Sequence, residues 1–147
     1  MIDIKALTHN DLLWCKVSSY AENCSWKAGA MLSKLMNNND FSDWERVFVA
    51  FSGDDIAGYC TLSKTDCIPD VPYTPYVSFL FVDELFRGKR ISEMLCSHAT
   101  QYAKTNGFEN VYLVSDHINL YEKYGFTKID EKLAPWGAMQ TIFICST

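Results

Sequence analysis

Glycine and proline are scarce in this chain, at 7 and 4 of 147 residues, which excludes collagen-like, linker-rich and low-complexity classes. Histidine is scarcer still, at 3, and no two of the six cysteines form a CxxC pair or stand at zinc spacing from a histidine. Basic residues are outnumbered, 13 Lys and Arg against 18 Asp and Glu, for a net charge of −5 and a pI near 5.1. That balance provides no basic face for broad nucleic-acid binding and argues weakly against an anionic membrane surface. No apolar run approaches the ~20 residues of a membrane span. The opening MIDIKAL carries no secretion signal. An even number of cysteines raises the question of a disulfide framework, but a chain this long and apolar needs no staples, so reduced thiols and a cytoplasmic location are expected.

What is present suits one ordinary domain spanning residues 1–147. Hydrophobic residues make up 48% and aromatics 14%, enough for a sizeable core and too much for extensive disorder. Ile2 to Leu7 alternates as a half-buried strand does, and Thr8-His9-Asn10-Asp11 can cap a helix from near Asp11 that carries Leu12, Leu13 and Val17. A second helix is expected from Trp26 to Met36, ended by Asn37-Asn38-Asn39-Asp40. Arg46–Ser52 and Ile56–Ser63 read as strands joined by a Gly53-Asp54-Asp55 hairpin turn. A loop from Asp66 to Pro75 carries three prolines and precedes an apolar strand from Val77 to Val82. Val111–Val114, Phe126–Asp130 and Met139–Cys145 read as further strands.

The chain is organised around Val77 to Ser92, VSFLFVDELFRGKRIS. Its strand ends at Asp83-Glu84, and Arg87-Gly88-Lys89-Arg90 leads into a helix with Ile91, Met94, Leu95, His98, Ala99, Tyr102 and Ala103 on one face. On that face His98 reads as a core histidine. The first amides of a helix lack internal acceptors and carry the positive end of the macrodipole, so a strand, a basic turn and a helix make an anion site. A solvated basic turn has the same composition. A strand, helix and strand in this order imply a parallel crossover, with the helix N-terminus at the carboxyl ends of the strands, where open sheets bind ligands. Farther on, Ser115 to Tyr124 reads as one short helix stopped by Gly125 in a left-handed cap.

These two segments resemble the signatures of the GNAT superfamily of acyl-CoA-dependent N-acetyltransferases. The first has the usual form of an apolar strand, then Arg or Gln, two residues, Gly, one residue, and Gly or Ala. Here Arg87 takes the first place, while Arg90 and Ser92 stand where the small residues are usual. The second is a Tyr four residues before Gly-Phe, matched by LYEKYGF at Leu120 to Phe126; Val114 occupies a place where the family often has Asn. The resemblance implies an α/β fold (mixed α+β), with a central mixed sheet of about seven strands flanked by about four helices. It implies acetyl-CoA-dependent N-acetylation of a primary amine, by direct transfer in a ternary complex, with a small-molecule or peptide amine as acceptor. A homodimer is compatible with it.

The resemblance also assigns roles. Arg87, Gly88, Lys89, Arg90, Ile91 and Ser92 would hold the CoA diphosphate, and the backbone of Leu80, Phe81 and Val82 would stabilise the thioester oxygen. Tyr121 would serve as acid toward the leaving sulfur, with Tyr124 a competing phenol. Asp116 and His117, at the mouth of the fifth strand, are the candidates for the base an ammonium requires; a helix cap and a surface residue are their plainer readings. Trp26 and Trp44 are aromatic candidates for the acceptor wall, as are Tyr73 and Tyr76 in the proline-rich loop. The acidic balance mildly favours a cationic acceptor. A non-catalytic acyl-CoA sensor or partner-binding module is the rival reading, permitted by Arg90 and Ser92 and opposed by Tyr121. No nucleophile elbow or Ser-His-Asp order supports a hydrolase.

Overall fold

Alternation along Arg46–Ser52 divides the core in two. This strand (β2) sends Val47, Val49 and Phe51 to one buried cluster and Phe48 and Ala50 to another, as the period of two requires. The computed structural model describes residues 1–117 and 119–147. Around β2 stand β1 (Ile2–Leu7), β3 (Asp55–Ser63), β4 (Tyr76–Val82), β5 (Asn110–Ser115), β6 (Thr127–Leu133) and β7 (Met139–Ser146). They form one seven-stranded sheet in the order β1-β2-β3-β4-β5-β7-β6. Every neighbouring pair is antiparallel except β4 and β5.

Helices cover both faces. α1 (Trp14–Asn23) and α2 (Ala28–Asn37) pack Val17, Ala21, Leu32 and Met36 against Val47, Val49 and Phe51. They are tied together by Trp14 Nε1–H to Met36 C=O (3.1 Å) and by the paired hydroxyls of Ser18 and Ser33 (3.0 Å). α3 (Ile91–Thr105) crosses from β4 to β5 on the other face, burying Ile91, Leu95, Cys96, Ala99 and Ala103. All six cysteines are free. Among the described residues no helix is long and apolar enough to cross a membrane.

The structure corrects four readings. The first helix begins at Trp14, not near Asp11, because the Asp11 carboxylate accepts from the Thr8 N–H (2.9 Å) and closes a turn of its own. The second begins at Ala28 rather than Trp26. There are three α-helices among the described residues, not four: Ser115 completes β5, and only Tyr121–Tyr124 turns, as a 3-10 segment capped by Gly125 at φ 94°. Part of the expected helix, at residue 118, lies outside the described residues. His98 is exposed, its Nδ1 lying 3.0 Å from the Met94 carbonyl of its own helix, and is not a core residue.

Candidate active site

The site originates in an irregularity of β4. Tyr76 to Ser78 pair with Ser63 to Thr61, and Phe81 and Val82 pair with Tyr59 and Gly58, so three steps on β4 match two on β3. The extra residue is absorbed at Phe79, whose φ of 50° is left-handed, an expensive conformation for an aromatic residue that marks a β-bulge. A bulge bends its strand. β4 meets β5 at one register pair, Tyr76 with Tyr112, and the two then separate. Gly58 lets β3 follow the bend closely, since a Cβ there would stand 2.5 Å from the Phe81 carbonyl oxygen.

The bulge also sets which peptide groups face the opening. Asp83 N–H donates to Ala57 C=O (2.8 Å), so by antiparallel alternation Phe81 also turns its peptide to β3. Val82 turns its own the other way, toward the space β5 has vacated. Its carbonyl accepts from Arg87 Nε (3.1 Å), leaving its N–H as a donor into the opening. All three backbone positions named from sequence line the cleft; Val82 offers its amide there and Phe81 its ring.

The space between the strands is a cleft of about 940 Å³, lined by β4, by Leu113 to His117 and by Tyr121. At one end stand Arg87 and Ser92. Gly88 has φ +83° and an open approach, with nothing within 4 Å of where a Cβ would be. Lys89 and Arg90 are exposed on the same turn, with the Lys89 ammonium over the Phe86 ring. Arg90 is the N-cap of α3 at φ 61° and ψ 26°, outside the helix and in the left-handed region. The Ile91 side chain is buried in the core, so only its backbone amide is left to serve an anion. Ser92 Oγ lies 2.6 Å from the Tyr124 hydroxyl.

Tyr121 is buried, its ring against Phe126 and Phe143. Burial chiefly, and then the neighbouring Cys96 thiol, push its pKa up to about 12, against a smaller lowering by a hydrogen bond with Ser115. Its hydroxyl thus keeps its proton at any physiological pH. Asp116 and His117 lie exposed at the cleft mouth, where the His117 amide donates to Ser115 Oγ (3.0 Å) and its ring stands 6.2 Å from that of Tyr121.

The opposite wall is aromatic. Trp26 stacks on Phe81 (5.8 Å between centroids, planes 4° apart) and meets Phe79 edge-on. Trp44 packs instead against Phe108, away from the cleft. Tyr73 donates to Asp130 (3.0 Å) and Tyr76 is buried, so neither lines it. Lining residues that the sequence reading did not single out include Asp66, Ser78, Trp136 and Gln140. Gln140 left one signal, a polar residue in phase with inward-facing Ile142 on β7.

Residues 9–126 match the family model described as Acetyltransferase (GNAT) family. The chain belongs to that family. A curated relative, acetyltransferase Atu2258 of Agrobacterium fabrum, is 39% identical over 70 residues; the match covers 46% of this chain, and the chain spans about half the length of that relative. A crystal structure from Desulfovibrio desulfuricans, described as of the GNAT family, superposes with TM-score 0.71 at 16% identity, over 99% of both chains. An aminoglycoside 6'-N-acetyltransferase complexed with coenzyme A superposes with TM-score 0.71 at 15% identity, over 98% of this chain and 96% of the other. At such identities these structures establish the GNAT fold alone.

Proposed function

We propose that this chain moves an acetyl group from acetyl-CoA to a primary amine of a small molecule, by direct transfer in a ternary complex. The observation that carries the proposal is the bulge-opened cleft, which brings a protonated, buried phenol and the outward Val82 amide of β4 into one space beside a cationic helix-entry turn. The donor supplies an activated thioester. Arg87, the Gly88 to Ser92 amides and the Ser92 hydroxyl suit its diphosphate, since helix N-terminus and cationic charge converge there. The Val82 N–H is a fixed donor for an oxygen that gains negative charge, and a fixed donor needs no reorganisation during the reaction.

Tyr121 holds the proton required by the departing sulfur. A phenol at about 12 is a weaker acid than an ordinary thiol, near 8.5, so transfer to a thiolate in water would run uphill. A thiolate that leaves within hydrogen-bond reach of this hydroxyl is stabilised as it forms, and a positioned hydroxyl can pass its proton on. Asp116 or His117, at the cleft mouth, takes the proton of the incoming ammonium. Cys67 is the cysteine among the described residues that reaches the cleft, and burial and Asp66 push its thiol up to about 12, which disfavours its service as a covalent acyl carrier.

The test is amine-dependent release of CoA thiol across a panel of primary amines, with the N-acetyl product identified by mass spectrometry. Tight acetyl-CoA binding with no turnover on any amine would make the protein an acyl-CoA binder instead.

A further inference from the structure

Resting on the proposed transfer, we propose that Ser115 is a positioning residue for it: its hydroxyl donates to the Tyr121 oxygen, turns the phenolic proton into the cleft and holds the phenolate that remains. Ser115 ends β5 and is only 9% exposed, yet it lines the cleft together with Tyr121. Val111, Leu113 and Ser115 are the buried positions of β5, and a period of two sets all three on one face. Tyr121 packs on that face, in one core cluster with Val111, Leu113 and Phe143. Leu113 is level with Phe143, and the Tyr121 ring stands 5.9 Å from the Phe143 ring. Ser115 lies two residues, about 7 Å, farther toward the carboxyl end of the strand. It is the polar end of the apolar strip that carries the ring.

The direction of the bond follows from what else the serine does. Ser115 Oγ accepts from the His117 N–H at 3.0 Å. A hydroxyl that accepts still has its own proton to give, and accepting from an amide polarises it into a better donor. The bond between Ser115 and Tyr121 lowers the phenol's pKa, against the larger raising effect of burial. A bond that favours the ionised form must run from serine to tyrosine, because a phenolate has no proton to donate. With its oxygen so engaged, Tyr121 has its own proton left for the cleft.

During transfer Tyr121 gives that proton to the sulfur as the thioester C–S bond breaks and the sulfur keeps the bond's electron pair. The phenolate so formed is buried, where a charge without partners is costly. Ser115 keeps its own proton and points it at the phenolate oxygen until solvent restores the phenol. A serine that only closed the turn after β5 would serve Asp116 and His117 and would have no bearing on the phenol.

The test is a double-mutant cycle of Ser115→Ala and Tyr121→Phe in the full chain, read by single-turnover acetyl transfer, with CoA affinity as the control for folding. Ser115→Ala is expected to slow transfer roughly ten- to a hundredfold, as loss of a hydrogen bond to a charged group does, with CoA affinity unchanged. In the Tyr121→Phe background it should cost nothing further. Ser115→Thr, which keeps a hydroxyl, should recover most of the rate. Should Ser115→Ala lose CoA, Ser115→Cys, close in size and a weak donor, takes its place in the cycle. An equal loss in both backgrounds would assign Ser115 to the turn that carries Asp116 and His117, and would overturn the proposal. A second readout needs no acceptor: the share of bound CoA present as thiolate at about pH 8.5, the ordinary thiol pKa, followed by ultraviolet absorbance. Ser115→Ala should lower that share, Tyr121→Phe should lower it further, and the two together should match Tyr121→Phe. Absence of turnover on every amine would overturn the transfer alone. An unchanged thiolate share in Ser115→Ala would overturn the positioning role alone.

Discussion

The hydroxyls of Ser92 and Tyr124 lie 2.6 Å apart, joining the helix-entry turn to the segment that carries Tyr121. On the proposed mechanism, two phenols three residues apart have different tasks. Tyr124→Phe removes one neutral hydrogen bond, worth about 1 kcal/mol, and is expected to weaken CoA binding about fivefold with little change in kcat. Tyr121→Phe is expected to leave CoA affinity nearly intact and to lower kcat by roughly 10²- to 10⁴-fold, the usual contribution of a positioned acid. Calorimetry and single-turnover kinetics on both variants separate the tasks; matching kinetic losses would mean the segment acts as one structural unit.

Arg90→Gly should stabilise the protein. A left-handed conformation costs an L-residue about 1–2 kcal/mol, offset in part by the entropy of a new glycine, for a net gain of roughly 0.5–1 kcal/mol. Its exposed pairing with Glu93, at 3.8 Å, offers little in return. CoA affinity should fall at low salt, where the lost charge matters most. Urea midpoints measure the first effect, and a lower midpoint would show that the side chain holds the turn together.

Tyr76→Phe should be neutral or stabilising by up to about 1 kcal/mol. The Tyr76 hydroxyl is buried and has no hydrogen-bond partner among the described residues, so it carries a desolvation penalty with nothing returned. Thermal unfolding of the variant checks this, and a loss above about 1 kcal/mol would reveal a bridging water.

Stability should decline in alkali between about pH 9 and pH 12. Burial foremost pushes Tyr76, Cys96 and Tyr121 up to about 12, whereas unfolded thiols and phenols ionise at 9.0 and 10.0. The unfolded chain loses these protons first, so the native advantage is complete below the unfolded values and is lost as pH rises toward 12. Urea midpoints in reductant from pH 8 to 11 should fall steadily, and a flat profile would show that water reaches these groups. The phenol of Tyr121 should not bring an alkaline fall in kcat near pH 10.

Strands were legible in the sequence because alternation is a local signal: β2 and β3 lie within a residue of where Arg46–Ser52 and Ile56–Ser63 place them. Helix starts were less legible. Thr8 to Asp11 has the composition of a cap, yet the Asp11 side chain reaches back to the Thr8 amide rather than forward into a helix. His98 has the spacing of the buried face of α3 but sits at the margin of that stripe. The cleft was half legible. Arg87, Ser92 and Tyr121 stand in motifs, whereas Asp66 and Gln140 reach it from a loop and a distant strand, and only the folded register brings them together.

The opening between β4 and β5 is stored as a whole number. Substituting Phe79 changes how comfortably the surplus residue sits; deleting it would bring three steps against two back into equal count. With the count equal, Ser78 and Phe81 would keep their partners on β3, the bend at the bulge would straighten, and β4 would be free to continue its ladder with β5 across the cleft. Chain length, not any side chain, keeps the slot open, so a one-residue deletion there should remove acyl-donor binding that every single substitution at Phe79 only weakens.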